Sequence, residues 1–357
     1  MRRTSNYTLL GFAVAAAALL LCSGCDYFGN LTLVDGYRAE SPVSVALDWS
    51  GTGLSEEERP SSVTLVMGRE LDSLRRVLEC GPDGLPAGDA VVLPNGDWLC
   101  VAFNGKASGV SFSGIEELQR GGIPAVKAVG ASLDTLTRAE RLALCGAVDP
   151  NPGMPFFKPL DGLFCAFARA RVDGMQEENG MVMEMHYAAV PVEFRINVDI
   201  EDGVEVESIL AEVSGVPGSI SLMSRQVSAG RMGKAVFGIE PSAGGGRSWS
   251  GTAIVPGILP PAREDVILGD GILCVKVRVK VEGKKMIYVA SINLKPVLDG
   301  NPVLAATDVS GVYRYVEGSP YVLEIPASLW LTPTGVRPGA DGPGLVDWVN
   351  QAKIDGQ

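Results

Sequence analysis

The side chains in this sequence that come closest to a chemical site are five carboxylates near residue 200: Asp199, Glu201, Asp202, Glu205 and Glu207. A hard cation such as calcium prefers clustered carboxylate oxygens, but the spacing here does not match an EF-hand loop, which needs further oxygen ligands and a bidentate glutamate in register. We therefore interpret the cluster as the solvated end of a strand and its turn. A calcium site is the alternative.

The single histidine, His186, limits the chemistry further. It excludes zinc sites built from several histidines and the HExxH helix of metalloproteases. Gly244-Gly245-Gly246 is too short for a phosphate-binding loop and indicates a flexible turn, and no GxSxG motif occurs. The sequence predicts no catalytic residue, no cofactor and no metal site, and His186 is interpreted as a strand or interface residue.

Seven cysteines are present, and five of them lie beyond residue 25: Cys80, Cys100, Cys145, Cys165 and Cys274. An exported protein permits disulfides, but an odd count leaves at least one thiol free, and the pairing cannot be read from the sequence. Cys100 lies in the apolar run 98–103, where a free cysteine acts as a small hydrophobic residue.

The first 25 residues have the pattern of an export signal. Arg2 and Arg3 precede an apolar stretch from Leu9 to Leu21, which is about the length of a signal-peptide core. The stretch ends in Ser23-Gly24-Cys25, which resembles a bacterial lipobox. The sequence therefore predicts a signal peptide over residues 1–24 and a lipid anchor on Cys25, which would hold the protein at a membrane without a transmembrane helix. An ordinary secretory signal with a coincidental cysteine is the alternative.

Composition sets the broad class of the remaining chain. With 357 residues, 46 % hydrophobic and 20 % charged, the expectation is two globular domains and a tail. The 44 glycines and 23 prolines fall singly between apolar runs, which indicates many short strands joined by turns. A net charge of −12 without a basic run interleaved with aromatics argues against a nucleic-acid partner.

Apolar residues recur with a period of two in two series, which predicts an all-β fold of two tandem β-sandwiches. The first series predicts strands at 43–49, 63–67, 98–103 and 163–168, with one short helix within 133–148. The second predicts strands at 190–200, 273–281 and 286–294. In the strand 190–200 the even-numbered face is predicted to be buried. In 273–281 the face that carries Cys274 and the lysines is predicted to lie in water.

The polar segment 173–180 marks the predicted boundary between the two series. The predicted domains are therefore 25–180 and 181–332. A Gly/Pro-rich linker and C-terminal tail follow at 333–357, and the tail either serves assembly or docks back on the second domain.

Short motifs in a particular order resemble a known family. After the leader come a strand ending in Asp48-Trp49, the segment 59–67 and the segment 93–104, which begins Leu-Pro-Asn-Gly-Asp-Trp. In this order they resemble the Bacteroidales fimbrial anchor and assembly lipoproteins, the fimbrillin-associated anchors, and a sibling family of surface lipoproteins of unknown function. Residues 194–198, 209–215 and 347–348 resemble that family's second domain, whereas Cys100 and the insert 121–160 depart from the pattern.

The resemblance implies two transthyretin-like or immunoglobulin-like β-sandwich domains, tethered by lipid to the outer membrane and exposed at the cell surface. It implies a role that anchors or caps a fimbria, with fimbrial subunits or other surface proteins as partners. The implied mechanism is strand complementation, in which an apolar groove takes an extended segment that completes a sheet edge. The family has no catalytic residues to carry over. The alternative is a surface lipoprotein that binds glycan or protein ligands without polymerising, which clustered exposed aromatic side chains would favour.

Overall fold

The computed structural model describes residues 38–69, 74–115, 129–146, 149, 151–228, 230–243, 246–300, 304–306, 312–315, 321–338 and 353–354. Strands dominate these residues, and the predicted all-β class is confirmed. Two α-helices are described, α1 (Arg138–Cys145) and α2 (Lys295–Asp299), together with short 3-10 turns at Ser50–Thr52, Glu56–Glu58 and Ala87–Asp89.

The strands of the N-terminal half precede residue 185 and are β1 (Glu40–Asp48), β2 (Val63–Arg69), β3 (Arg75–Cys80), β4 (Gly84–Leu85), β5 (Val91–Pro94), β6 (Gly96–Phe103), β7 (Val110–Ser113), β8 (Gly130–Leu133), β9 (Leu163–Val172) and β10 (Asn179–Glu184). The later strands are β11 (His186–Ile200), β12 (Val204–Pro217), β13 (Ser219–Ser221), β14 (Met232–Pro241), β15 (Ser248–Val255), β16 (Ile272–Val281), β17 (Lys284–Asn293), β18 (Leu304–Ala306), β19 (Tyr313–Tyr315), β20 (Tyr321–Thr332), β21 (Gly335–Pro338) and β22 (Lys353–Ile354).

The first half is a sandwich of two sheets. One sheet has the order β3-β2-β6-β9, and the other places β1 between β10 on one side and β4 and β5 on the other. Alternate side chains of each sheet point inward and form one core, which includes Val45, Trp98 and Met183. The Trp49 indole at the end of β1 donates to the Pro82 carbonyl at 2.6 Å. Burial of apolar side chains between the sheets is the main stabilising contribution here.

The second half is a sandwich with a larger core. One of its sheets has the order β17-β16-β12-β14, and the other has the order β15-β11-β20-β21. The two inner faces meet at residues such as Phe194, Val213 and Leu329. Strand β8 pairs with β7 on one side and with β13 on the other, and Ala131 and Leu133 of β8 join the same core. The insert after β6 therefore packs on the second half.

The long strand β11 joins the two halves. Its first residues pair with β9, and the part from Val190 onward pairs with β15. The predicted boundary segment 173–180 is a loop followed by the start of β10, and β10 pairs in parallel with β1 of the first half. Pairing with strands of the first half thus continues through Glu184 in β10 and to Ala189 in β11.

The predicted helix within 133–148 is confirmed over a shorter range. Leu133 belongs to β8, and helix α1 begins after Thr137, whose hydroxyl accepts from the Glu140 amide while the Glu140 carboxylate accepts from the Thr137 amide. This reciprocal capping sets the start of the helix, and the turn at Gly146, with φ of 69°, ends it.

The structure confirms the predicted buried face of β11 and contradicts the predicted exposed face of β16. In β11 the even-numbered residues from Val190 to Val198 are buried as predicted, whereas Ile200 at the strand end is 46 % exposed. In β16 the prediction that the lysine-bearing face lies in water is wrong for Cys274 and Lys276, which are buried. Periodicity shows that a face exists, but it does not show that another segment covers it.

Candidate functional site

The strands β14 and β15 meet at only one end, and this opens one side of the second sandwich. They pair at Glu240–Ser250 and Pro241–Trp249. Gly251 still lies against Gly238, and a Cβ on Gly251 would lie 2.1 Å from the Gly238 carbonyl oxygen. Beyond this corner the strands diverge, and in the described residues 235–237 pair only with β12 and 252–255 pair only with β11.

An apolar cavity of about 180 Å³ fills the gap between the two diverging strands. We call it the lateral groove. Val236 and Ala253 form its two strand walls and are buried, while Thr252 at its mouth is exposed. The remaining lining residues are Leu133, Phe157, Lys158, Pro159, Leu160, Ala235 and Ile254. The groove therefore combines apolar side chains with two backbone edges that no described strand completes.

The third wall is the segment Pro155–Leu160, which we call the plug segment. It begins as a parallel neighbour of β14, because the Phe157 amide donates to the Lys234 carbonyl and the Lys234 amide donates to the Pro155 carbonyl, both at 2.8 Å. The segment then leaves β14, since the Lys158 amide donates to Asp134 and Pro159 has no amide hydrogen. Phe157 and Leu160 remain buried in the sandwich core.

A second cleft continues the lateral groove toward the first half. It has a volume of about 430 Å³ and shares Ile254 with the groove. Its floor includes Phe164 and Tyr187, whose ring centroids are 4.9 Å apart. The buried Asn104 side chain donates to the Gly162 carbonyl at 3.0 Å and accepts from the Phe164 amide at 2.8 Å, which fixes the cleft wall.

Four charged side chains form a buried cluster beside the plug segment, on the outer face of the sheet that contains β12, β14 and β16. Glu212 is 1 % exposed, Lys234 2 % and Lys276 5 %. Glu212 contacts both lysines, and Asp149 from the insert contacts Lys234. The Lys234 ammonium also lies 4.5 Å from the Phe156 ring centroid. The two cations and two carboxylates balance, which is what burial of such charges requires.

Sequence reasoning missed this charged cluster, although one feature pointed to it. Glu212 interrupts the apolar run 209–213, and Lys276 interrupts 273–279. β12 and β16 pair in a register that puts Glu212 opposite Cys274, which lies two residues before Lys276 on the same face of β16. Only that pairing reveals the opposite charges as partners.

The acidic residues near residue 200 do not converge on a metal site. Within the described residues no group of three or more His, Cys, Asp or Glu side chains could hold a metal ion. Asp199 instead contacts Arg247, Glu205 lies 3.3 Å from the Lys280 ammonium, and Glu207 lies 3.2 Å from the Lys285 ammonium. Cations of the chain itself occupy these carboxylates.

His186 begins β11, and its Nε2 lies 3.9 Å from a Glu184 carboxylate oxygen. Of the cysteines beyond the leader, Cys80, Cys100, Cys145 and Cys274 are free thiols. Burial raises the pKa of Cys100 and of Cys274 to about 12, so both thiols stay protonated at neutral pH.

The predicted lipidation site Cys25 and the leader lie outside the described residues. Among the described residues no helix is both long enough and apolar enough to cross a membrane.

Two further features bear on the functions expected from the sequence. Trp49 and Trp98 are buried, Trp249 is half-buried and Trp330 is 42 % exposed, so the described tryptophans form no exposed cluster.

The tail segment Lys353–Ile354 pairs with Met286 and Ile287 at the edge strand β17. The pairing is the arrangement expected if the tail docks back on the second half.

The fold and the lateral groove define a β-sandwich protein with one open side, where two diverging strands border a cavity. No protein-family model matches the sequence, and no curated protein matches it. Among solved structures, the chain is similar to a proposed adhesin from Bacteroides ovatus, with 12 % identity, a TM-score of 0.48, and coverage of 83 % of this chain and 92 % of that chain.

The chain is also similar to the fimbrial anchor protein Mfa2 from Porphyromonas gingivalis, with 11 % identity, a TM-score of 0.40, and coverage of 82 % of this chain and 90 % of that chain. A proposed polysaccharide-binding protein from Bacteroides thetaiotaomicron has 11 % identity, a TM-score of 0.42, and coverage of 82 % of this chain and 91 % of that chain. All three TM-scores lie below 0.5, so the functional argument rests on the geometry of this chain.

Proposed function

We propose that this protein is a lipid-anchored surface protein that anchors or caps a fimbria by accepting an extended segment of a fibre subunit in the lateral groove. The observation that carries the proposal is the divergence of two unpaired backbone edges, 235–237 and 252–255, around an apolar cavity. We propose no catalytic role.

Strand addition would use both features of the groove. Backbone groups of an incoming strand would complete either edge, and each such hydrogen bond contributes a net of about 1 kcal/mol. Alternate side chains would enter the cavity. Its 180 Å³ exceed the roughly 150 Å³ of an apolar cavity that takes a benzene-sized guest, so about one or two aliphatic side chains fit.

The membrane tether is a separate part of the proposal and depends on Cys25. A lipid on that residue would keep the groove at the cell surface, where fibre subunits arrive. The outer membrane is the proposed location, since an anchor must hold the base of the fibre outside the cell.

Ile254→Arg tests the groove directly. Ile254 is half-buried and lines both the groove and the adjoining cleft. An arginine there would put a charge in the path of the incoming strand, which costs several kcal/mol, and about 1.4 kcal/mol is a tenfold loss of affinity. The matched control is Val182→Arg on β10, where the native side chain is 69 % exposed and lines neither cavity.

The assay is recovery of the protein from cross-linked intact cells, with mass spectrometry of the attached fibre subunit. The expected recovery of subunit is at most one tenth of the wild-type amount for Ile254→Arg and close to the wild-type amount for Val182→Arg. Thermal unfolding of both purified variants checks that they fold. Equal subunit recovery from two folded variants would exclude the groove as the docking site.

A surface binding module for glycan is the second candidate, and one residue favours it. Trp330 is exposed on the outer face of its sheet, with Asp199 of β11 and Arg337 of β21 as its cross-strand neighbours. An exposed indole beside polar groups can stack on a sugar ring. Trp330→Ala should abolish retention on a surface-polysaccharide column under this candidate and leave fibre recovery unchanged under the first.

A further inference from the structure

We propose that the partner strand displaces the plug segment from β14 and carries a carboxylate that replaces Asp149 at Lys234. This inference rests on the proposed function and adds the chemistry of the partner and the way in which the groove opens. Its basis is the set of contacts that hold the insert on the sheet.

The plug segment is attached to β14 by few backbone bonds. A single bridge joins Phe156 to Lys234, with two hydrogen bonds of 2.8 Å, and pairing stops before Pro159. Neighbouring strands of the same sheet pair continuously, as β16 does with β17 from Ile272 to Val281. The plug segment is also bonded to the insert itself, since the Leu136 amide donates to the Phe156 carbonyl and the Lys158 amide donates to the Asp134 carbonyl, both at 2.8 Å. We expect the segment to leave β14 together with residues 134–136, and to do so at lower free energy than the continuously paired strands open.

The side chains of the plug segment mimic those of an incoming strand. Phe157 enters the sandwich core, Phe156 covers Val236 and the Lys234 ammonium on the outer face, and Leu160 returns to the core. The segment thus already supplies an extended backbone with apolar side chains on both faces. A partner strand with the same character could take its place and continue along 235–237, where the plug segment leaves the edge unpaired.

Charge balance at β14 sets a further requirement for the partner. The sheet itself supplies Lys234, Lys276 and Glu212, which sum to one positive charge. Asp149 of the insert neutralises this excess and also accepts from Arg141 at 3.2 Å, a residue that belongs to the insert and would leave with it. A partner strand that takes the place of the insert would cover the same face and bury Lys234 again. Without a carboxylate of its own it would leave an uncompensated buried cation, so the partner strand must bring a carboxylate to Lys234.

The probes are a fluorescent synthetic peptide of residues 149–160 and the same peptide with Asp149→Asn. The full-length protein is used as wild type and as Asp149→Asn, in which the native plug is weakened. We expect the peptide that carries Asp149 to bind the Asp149→Asn protein at least tenfold more tightly than it binds the wild-type protein. We also expect this peptide to bind the Asp149→Asn protein at least tenfold more tightly than the Asp149→Asn peptide binds it. Absent binding, or equal binding in either comparison, would overturn the proposal.

Hydrogen exchange of the wild-type protein provides a test that does not depend on the variant. The Phe157 amide, bonded to Lys234, should exchange faster than the Ala211 and Val275 amides of the central strands β12 and β16. Exchange of Phe157 as slow as that of the central strands would show that the plug segment opens only with the whole fold, and would overturn displacement.

The failure of this inference and the failure of the proposed function are distinguishable. If cell-surface recovery finds no groove-dependent subunit while the plug segment opens and exchanges for peptide, the fibre proposal fails and the replaceable plug stands. If the recovered subunit protects 235–237 and 252–255 from exchange while 156–158 keeps its protection, the fibre proposal stands and displacement fails.

Discussion

Glu212→Gln should destabilise the second half far more than the same change at a neighbouring exposed ion pair. Glu212 is the carboxylate that contacts both buried lysines, and its Oε2 lies 3.6 Å from the Lys234 ammonium. At that separation and an effective dielectric constant of about 20, Coulomb attraction is about 5 kcal/mol. The substitution keeps the shape of the side chain and removes its charge, so two buried ammonium groups would share Asp149 alone.

The net loss is smaller than the Coulomb attraction, because the folded protein no longer has to desolvate the Glu212 carboxylate. Removing one partner of a buried ion pair costs about 3–5 kcal/mol, and we expect a value in this range. For a folding unit of 150–250 residues, each kcal/mol lowers the melting temperature by about 2–4 °C. The expected decrease is therefore roughly 6–20 °C.

The control is Glu205→Gln on the same strand, where the carboxylate side chain is 69 % exposed and lies 3.3 Å from Lys280. Exposed pairs of this kind contribute about 0–1 kcal/mol. Urea and thermal unfolding at neutral pH, followed by tryptophan fluorescence, would measure both variants. Replacing the pair together, as Glu212→Leu with Lys276→Met, should recover most of the loss because Lys234 and Asp149 remain balanced. Equal transition midpoints for the two single variants would refute the assignment of a buried, coupled charge cluster.

Four further outcomes are expected. Cys25→Ala should move the protein from the membrane to the soluble fraction, and unchanged membrane retention with an unmodified cysteine would contradict lipidation. Ile196→Asp, at a side chain that is 1 % exposed, should unfold the second half, whereas Asn197→Asp on the exposed face should melt within a few degrees of wild type. Burial raises the pKa of Asp270, whose Oδ1 is buried and has no hydrogen-bond partner among the described residues, so its charged form costs stability above the folded pKa. Asp270→Asn should therefore raise the melting temperature at neutral pH and make little difference about one pH unit or more below the unfolded pKa of about 3.9, where both states are protonated. Deleting 340–357 should lower the melting temperature because it removes the strand that pairs with β17. An unchanged melting temperature would contradict docking of the tail on the second half and would favour the alternative that the tail serves assembly.

The strand architecture could be predicted from the sequence where one face of a strand is apolar and the other polar. Val190–Val198 is the clearest case, because the structure buries each even-numbered residue. The strand Glu40–Asp48 shows the same inward face at Val43, Val45 and Leu47. In both cases the period of two is a property of the strand itself, so no knowledge of its neighbours is needed.

The lateral groove could not be predicted in the same way, because it depends on which strands pair and where the pairing stops. No residue in 235–237 or 252–255 differs in type from an ordinary strand residue. The prediction that Lys276 faces water was wrong for a related reason. Lys276 occupies the position of a solvent-facing residue in β16, and only the insert that carries Asp149 converts that outer face into an interior.

The same corner that allows the second sandwich to close also leaves it open on one side. Gly238 and Gly251 let β14 and β15 approach so closely that a Cβ on Gly251 would collide with a backbone carbonyl. Such a tight corner turns the chain from one sheet into the other within a few residues, and the sheets must then separate to make room for the core between them. The edges that separate cannot pair with each other, so their backbone groups need another partner. In this chain the plug segment supplies that partner at Lys234 and leaves 235–237 at the edge of the groove, which is why the covering segment and the lateral groove lie side by side.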